Sequence, residues 1–223
     1  MGKRTLLSWS SGKDSAWSLH ILLHQPDIEI VGLFSTVNKK FERVAMHAVR
    51  TELLYQQAIS LDLPIEIIPI PYPCSNVQYE AAMNGFIKKA KQSKIECFAF
   101  GDLFLKDVRK YREDNLAGTG ITPIFPIWGK NTTILSKEMI DNGLKSIITC
   151  VNPKQLSPDF AGKEYDGSFL EQIPENVDPC GERGEFHSFV YGGPMFKNEI
   201  KIQIGETISR DGFVFTDILS KNN

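Results

Sequence analysis

The first half of the chain alternates short apolar runs with segments of helical period, and this alternation restricts the fold more than any other feature. Thr5–Trp9 leads into a helical pattern with Ala16, Leu19, Leu22 and Leu23 on one side. Glu29–Ser35 reads as a buried strand, after which Met46, Val49, Leu53, Leu54, Ala58 and Leu61 share a helical face. Ile65–Ile70 is β-branched, Tyr79, Ala82, Met83, Phe86, Ile87 and Ala90 mark a further helix, and Cys97–Phe100 forms a fourth apolar run. Apolar residues three and four apart line one face of a helix, whereas short β-branched runs bounded by polar turns suit buried strands. The βαβαβαβ order predicts an α/β fold with a doubly wound parallel sheet covered by helices. Ligands of such sheets bind outside the carboxyl ends of the strands. Three polar clusters fall at those ends: Ser10–Ser15, Ser35–Thr36 and Gly101-Asp102.

The second half is less regular. Asp107–Leu116 reads as a charged helix, and Thr122–Trp128, with Pro123 and Pro126, is expected to cross to a smaller lobe. Thr132–Asn142 reads as a helix and Ser146–Val151 as a strand. Pro153–Gly184 is rich in Pro, Gly and Asp and reads as loop, while Phe186–Tyr191, Glu199–Ile204 and Gly212–Thr216 read as strands. The expected division is a nucleotide-binding domain at 1–128 and a smaller C-terminal α+β lobe at 129–223.

Composition narrows the function classes. A hydrophobic share of 42% in 223 residues suffices for a packed core. A net charge of -2 lacks the basic excess of a nucleic-acid-binding surface, so nucleic acid is not the expected partner. Cys74, Cys97, Cys150 and Cys180 form no C-x-x-C pair and no zinc spacing, which fits a reducing cytoplasm. With no signal peptide and no run of ~20 apolar residues, a soluble cytoplasmic protein with no membrane role is expected. A homo-oligomer is compatible with the sequence.

Ser10–Ser15 carries the most chemistry. Small residues between a strand and a helix N-terminus expose backbone N–H groups that attract anions. Ser10, Ser11 and Ser15 add hydroxyls, Gly12 permits an unusual backbone angle, Lys13 adds charge, and Asp14 can orient the loop or help hold magnesium. It is not a Walker A loop, because Leu7 stands where the first Gly belongs and Asp14 follows the Lys. A plain capped strand-to-helix turn would share this composition.

Ser10-Ser11-Gly12-Lys13-Asp14-Ser15 resembles the S-G-G-K-D-S loop of the PP-loop, or N-type, ATP pyrophosphatases, with Ser11 in place of the first Gly. Three further segments resemble one branch, the diphthine–ammonia ligase-like family. They are Met46-His47-Ala48-Val49-Arg50; Gly101-Asp102-Leu103 with Arg109, Tyr111, Arg112, Glu113 and Phe125-Pro126-Ile127-Trp128; and Cys180–Val190 closed by Gly193-Pro194-Met195-Phe196. His187-Ser188-Phe189 departs from the Glu-Thr-Phe associated with the eukaryotic and archaeal ligases, which bears on the substrate more than on the ATP chemistry.

The resemblance implies an adenine nucleotide alpha hydrolase-like fold and an AMP-forming ligase that uses ATP and Mg2+. A substrate carboxylate is adenylated, and ammonia then displaces AMP. The acceptor is diphthine on elongation factor 2 or a small acid. The nucleotide is expected on Ser10–Ser15, Ser35, Thr36, Gly101 and Asp102, with adenine near Phe34–Thr36. Lys13, Asp14, Glu182 and Glu185 are expected to act in catalysis, with Asp14 on the metal and the two glutamates handling ammonium. His47, Arg50, Arg109, Arg112, Glu113 and His187 are expected to contact substrate. For His47 and Arg50, solvated helix residues are the competing reading, and for Arg109, Arg112 and Glu113 it is a surface salt-bridge face. Rival readings are a tRNA-modifying PP-loop enzyme and a non-catalytic adenine-nucleotide sensor.

Overall fold

A computed structural model describes residues 2–40, 43–44 and 49–221. The chain runs β1 (Lys3–Ser8), α1 (Lys13–Leu22), β2 (Ile28–Asn38), β3 (Arg43–Val44), α2 (Thr51–Leu61), β4 (Ile65–Ile70), α3 (Asn76–Gln92), β5 (Cys97–Ala99), α4 (Lys106–Leu116) and β6 (Thr122–Ile124). It continues through α5 (Thr132–Asp141), β7 (Lys145–Val151), α6 (Gly167–Gln172), β8 (Phe186–Gly192), β9 (Ile202–Arg210) and β10 (Phe213–Ser220).

β4, β2, β1, β5 and β6 lie side by side and parallel in that order, with β3 antiparallel beside the end of β2. β1 is central, and its Leu7 pairs with Leu33 on one side and Ala99 on the other. The winding reverses between β1 and β5, so the loops leaving these two strands open into one crevice. Phe34, Phe86, Phe98 and Phe100 pack one apolar cluster, with the Phe34 ring centroid 4.9 Å from both Phe86 and Phe98. The larger core takes Leu19 and Leu22 of α1 and Leu53 and Leu54 of α2, and continues into the second half through Ile147, Ile148, Phe186 and Phe189. Among the described residues, no helix is long and apolar enough to cross a membrane.

The second sheet is antiparallel, in the order β8-β7-β10-β9. It docks against the loop after β1. Val190 N–H donates to the Ser11 carbonyl at 2.9 Å. The buried Gln57 side chain donates to both Ser11 C=O (3.0 Å) and Val190 C=O (2.6 Å) and accepts from the Trp9 indole at 2.7 Å. One amide thus links α2, the loop and β8 while leaving its own polar atoms satisfied, as burial demands.

Four segments depart from the sequence reading, the first being Val49 and Arg50, expected on the face of α2 but placed before its start at Thr51, beside β3. Thr122–Ile124 joins the parallel sheet as its edge strand, where Pro123 is tolerated because one side of an edge needs no donor. Within the expected loop, α6 forms because the Asp166 side chain caps Phe169 N–H at 2.9 Å. The strand expected at Glu199–Ile204 starts later and runs to Arg210, paired along β10.

Arg43 and Arg50 both reach across to Asp217 of β10, at 2.8 and 2.6 Å. Burial pushes the Asp217 carboxyl up, but hydrogen bonds from Arg50 and Arg43 more than offset this and hold it at about 2. A carboxyl with a depressed folded pKa adds stability above its unfolded value and loses it as pH falls through the folded one. Asp217→Asn should therefore cost about 1–2 kcal/mol at pH 7 in urea unfolding. The difference from wild type should vanish between the ordinary value of 3.8 and about 2.

Candidate active site

A cleft of about 580 Å³ lies at the crevice between β1 and β5 and is roofed by the segment before β8. Its walls include Ser10, Lys13, Asp14 and Ser15 from the first loop, and Gly101, Asp102 and Arg112 from the turn after β5 and from α4. Cys180, Gly181, Glu182, Arg183, His187 and Ser188 come from the second half. Segments that are remote in sequence thus meet in one place.

The loop is built from its own hydroxyls. Ser10 Oγ lies 3.2 Å from Ser15 Oγ and accepts from Gly12 N–H at 3.3 Å, and Ser15 donates to the Gly12 carbonyl at 2.9 Å. α1 starts here beside the cleft, and its first-turn amides have no intrahelical partners, that of Lys13 donating instead to Ser188 Oγ at 3.2 Å. Gly101 lets the two strand ends close up: a Cβ there would lie 3.0 Å from the Asp14 carbonyl carbon and oxygen.

The unusual backbone angle expected at Gly12 belongs to Ser11. Gly12 has an ordinary extended φ of -93°, whereas Ser11 sits at +71°. Ser11 is fully buried, and its hydroxyl finds no hydrogen-bond partner among the described residues. Both features oppose folding: a left-handed backbone at a non-glycine residue costs roughly 1–2 kcal/mol, and an unpaired buried hydroxyl adds to this. Ser11→Gly should raise stability by about 1 kcal/mol after the entropic penalty of glycine, read as a higher urea midpoint.

Residues 178–185, at the end of the expected loop, form a hydrogen-bonded turn. Asp178, buried, accepts from Cys180 N–H (2.9 Å) and Glu182 N–H (3.3 Å) through Oδ1 and from the Thr132 hydroxyl (2.7 Å) through Oδ2. Gly181 has φ +72°, and a Cβ on it would meet the Phe186 carbonyl at 2.8 Å. The turn aims Glu182 back at the first half, where its Oε1 accepts from Leu103 N–H at 2.8 Å and Phe104 N–H at 3.4 Å. Burial pushes the Glu182 carboxyl up to about 7; the Leu103 amide pulls it down, and the neighbouring Asp14 charge pushes it further up.

The two glutamates have different surroundings. Glu182 lines the cleft, whereas Glu185 is buried behind it, with Oε1 accepting Asp178 N–H at 2.9 Å and Oε2 unpartnered among the described residues. Lys13 Nζ is buried, bonded to both Asp14 oxygens (3.0 and 2.8 Å) and to the Cys180 carbonyl, with the Tyr165 and Phe186 rings 5.5 and 5.3 Å away. Burial alone would lower its pKa, but Asp14 holds it above its ordinary value.

Arg112 reaches the cleft, stacked 4.9 Å over Phe100 with Nε 3.6 Å from Asp102. Burial raises the Asp102 carboxyl, and Arg112 offsets part of that rise. His187 also lines the cleft. Arg109 instead stacks 4.7 Å over Phe125 and 4.8 Å over Trp128 and pairs with Glu113 at 2.8 Å, outside the cleft walls. Arg50 is held at Asp217, and Ser35 and Thr36 lie on β2 outside the walls. Phe34 is buried in the aromatic cluster. His47 lies outside the described residues. Sequence reading missed Asp178 and Ser188, whose Oγ accepts the Lys13 N–H at 3.2 Å. The available signal was their position in or next to the Cys180–Val190 segment.

No cluster of three or more His, Cys, Asp or Glu side chains among the described residues could hold a metal ion. The cleft walls carry three carboxylates, those of Asp14, Asp102 and Glu182.

Residues 131–220 match the diphthamide synthase C-terminal domain model. Diphthine–ammonia ligase of Bos taurus is 24% identical, over 94% of this chain and 86% of that protein. The Mus musculus ligase is 26% identical with the same coverage. The Danio rerio ligase is 31% identical over 51% of this chain and 47% of its own length. The chain is thus similar to diphthine–ammonia ligases over most of its length, and its second half to the diphthamide synthase C-terminal domain, which supports a diphthine–ammonia ligase-like family.

Proposed function

We propose that this chain is an AMP-forming carboxylate–ammonia ligase. A carboxylate oxygen of the acceptor attacks the α-phosphorus of ATP, forming an acyl-adenylate and releasing pyrophosphate. Ammonia then attacks the acyl carbon, giving an amide and AMP. The observation that carries this reading is Glu182, a carboxyl at about 7 held in the same cleft as the phosphate loop. Ammonium has no free lone pair, so it must lose a proton before it can attack. A carboxylate with a pKa near neutrality can accept that proton at working pH and pass it to solvent.

The residues divide by task. The amides of the first turn of α1 and the hydroxyls of Ser10 and Ser15 receive the phosphates, with Gly101 allowing their close approach. Asp14 and Asp102 would hold a magnesium ion bound with the nucleotide, and that ion would neutralise phosphate charge. Arg112 orients the acceptor carboxylate, and His187 borders the same space. Residues 1–128 act as the ATP-binding domain and 129–223 as the lobe that brings Glu182. The names of the relatives point to diphthine on a protein as acceptor, and a small carboxylic acid is the other class to test. The one cleft thiol, Cys180, is pushed up to about 12 by burial, which disfavours the sulfur transfer of a tRNA-modifying enzyme.

The test is to supply ATP, magnesium, ammonium and a panel of acceptors that includes diphthine-bearing elongation factor 2. Acceptor-dependent AMP and pyrophosphate in equal amounts are expected. Production of ADP would overturn the α-phosphate mechanism, and tight nucleotide binding with no product from any acceptor would favour a sensor.

A further inference from the structure

We infer that Lys13 is a positioning residue, a tether that fixes the Cys180–Glu182 turn over the phosphate loop, and that it is not a ligand of phosphate. A lysine inside a phosphate loop would ordinarily be assigned to the nucleotide. Its surroundings here contradict that assignment. The side chain is only 3% exposed, with Nζ bonded to the Asp14 carboxylate and to the Cys180 carbonyl of the other half of the chain. Two aromatic faces, Tyr165 and Phe186, close over it. Reaching a phosphate would take Nζ away from the buried Cys180 carbonyl and out from between the two rings, which is costly.

The tether has a defined output. Cys180 is two residues from Glu182, and Asp178 binds the amides of both. The position of the Cys180 carbonyl therefore sets where the Glu182 carboxylate lies against Leu103. The Lys13 charge also lowers the Glu182 pKa, so it tunes the group that it positions.

The first experiment uses the unaltered protein and does not depend on the ligase reading. Reductive methylation followed by digestion and mass spectrometry should label the exposed Lys110 at least tenfold faster than Lys13, with or without ATP. Fast labelling of Lys13 without ATP and shielding with it would mark a phosphate ligand and overturn the inference. The second uses Lys13→Met. Amide exchange at 178–184 should quicken at least tenfold, and ATP affinity should stay within about threefold. The acidic limb of the pH–rate profile should move to higher pH, a change that a purely structural role would not produce. Unchanged exchange with a tenfold loss of ATP affinity would overturn the proposal. Should Lys13→Met not fold, the labelling result decides. Failure of the wild-type protein to bind ATP would instead defeat the ligase reading, on which the ATP-affinity and kinetic arms rest.

Discussion

Glu182→Gln is expected to lower ammonium-dependent turnover by at least 10²-fold while leaving the protein as stable as wild type or more so. The two effects have one cause. The folded protein holds this carboxyl at about 7, above its ordinary 4.5, because burial disfavours its charge. A carboxyl raised in this way contributes no penalty below its unfolded pKa and its full penalty above its folded one. At pH 8 the wild type therefore carries an ionised, partly buried carboxylate. Glutamine removes that charge, keeps an oxygen for the Leu103 amide, and should gain on the order of 1–2 kcal/mol, discounted for partial exposure. The gain should shrink as pH falls from 7 and vanish below about 4.5. Loss of a positioned general base is typically worth 10²–10⁴ in rate. The wild-type rate should rise with pH through a limb near 7, and the variant should lack that limb. Urea unfolding at pH 8 and pH 5, with steady-state rates across the same range, checks both parts. A variant that lost stability at pH 8 and kept the limb would assign Glu182 a structural role.

Asp178→Ala should have the largest effect on stability, a loss of about 3–5 kcal/mol, and should abolish turnover. One buried carboxylate serves the amides of Cys180 and Glu182 and the Thr132 hydroxyl. Its removal leaves one buried and two half-buried donors without their acceptor, each costing up to about 1–3 kcal/mol, with partial relaxation. Asp178→Asn, which keeps one acceptor oxygen, should lose about half as much. If Asp178→Ala unfolded at the wild-type urea midpoint, the turn would be held by other contacts.

The sheet and the site differ in how much of them was legible from sequence. β1, β2, β4 and β5 each carry a short apolar run bounded by polar turns, and these runs stand out. The helices between them carry a clear period, and the crevice position of Ser10–Ser15 follows from strand order alone. Arg109 and Arg112 show the limit. Three residues apart on α4, they look equivalent in sequence, yet one stacks on Phe125 and Trp128 and the other on Phe100 beside Asp102. Glu182 and Glu185 separate likewise, because a turn at Gly181 sends one toward Leu103 and the other behind the wall. Such choices depend on tertiary contacts, of which the Glu182–Leu103 bond spans 79 residues of sequence, and no local pattern encodes them. The position of Ser11 is an intermediate case. The Gly expected there by resemblance marks a left-handed backbone, and this chain keeps the conformation without the residue that best tolerates it.

The most direct test of the ligase reading is acceptor-dependent exchange of labelled pyrophosphate into ATP with ammonium left out. Adenylation that precedes ammonia predicts exchange that requires the acceptor and survives in Glu182→Gln, because the proton acceptor is needed only afterward. No exchange with an acceptor that supports turnover, together with ADP formation once ammonium is added, would contradict it.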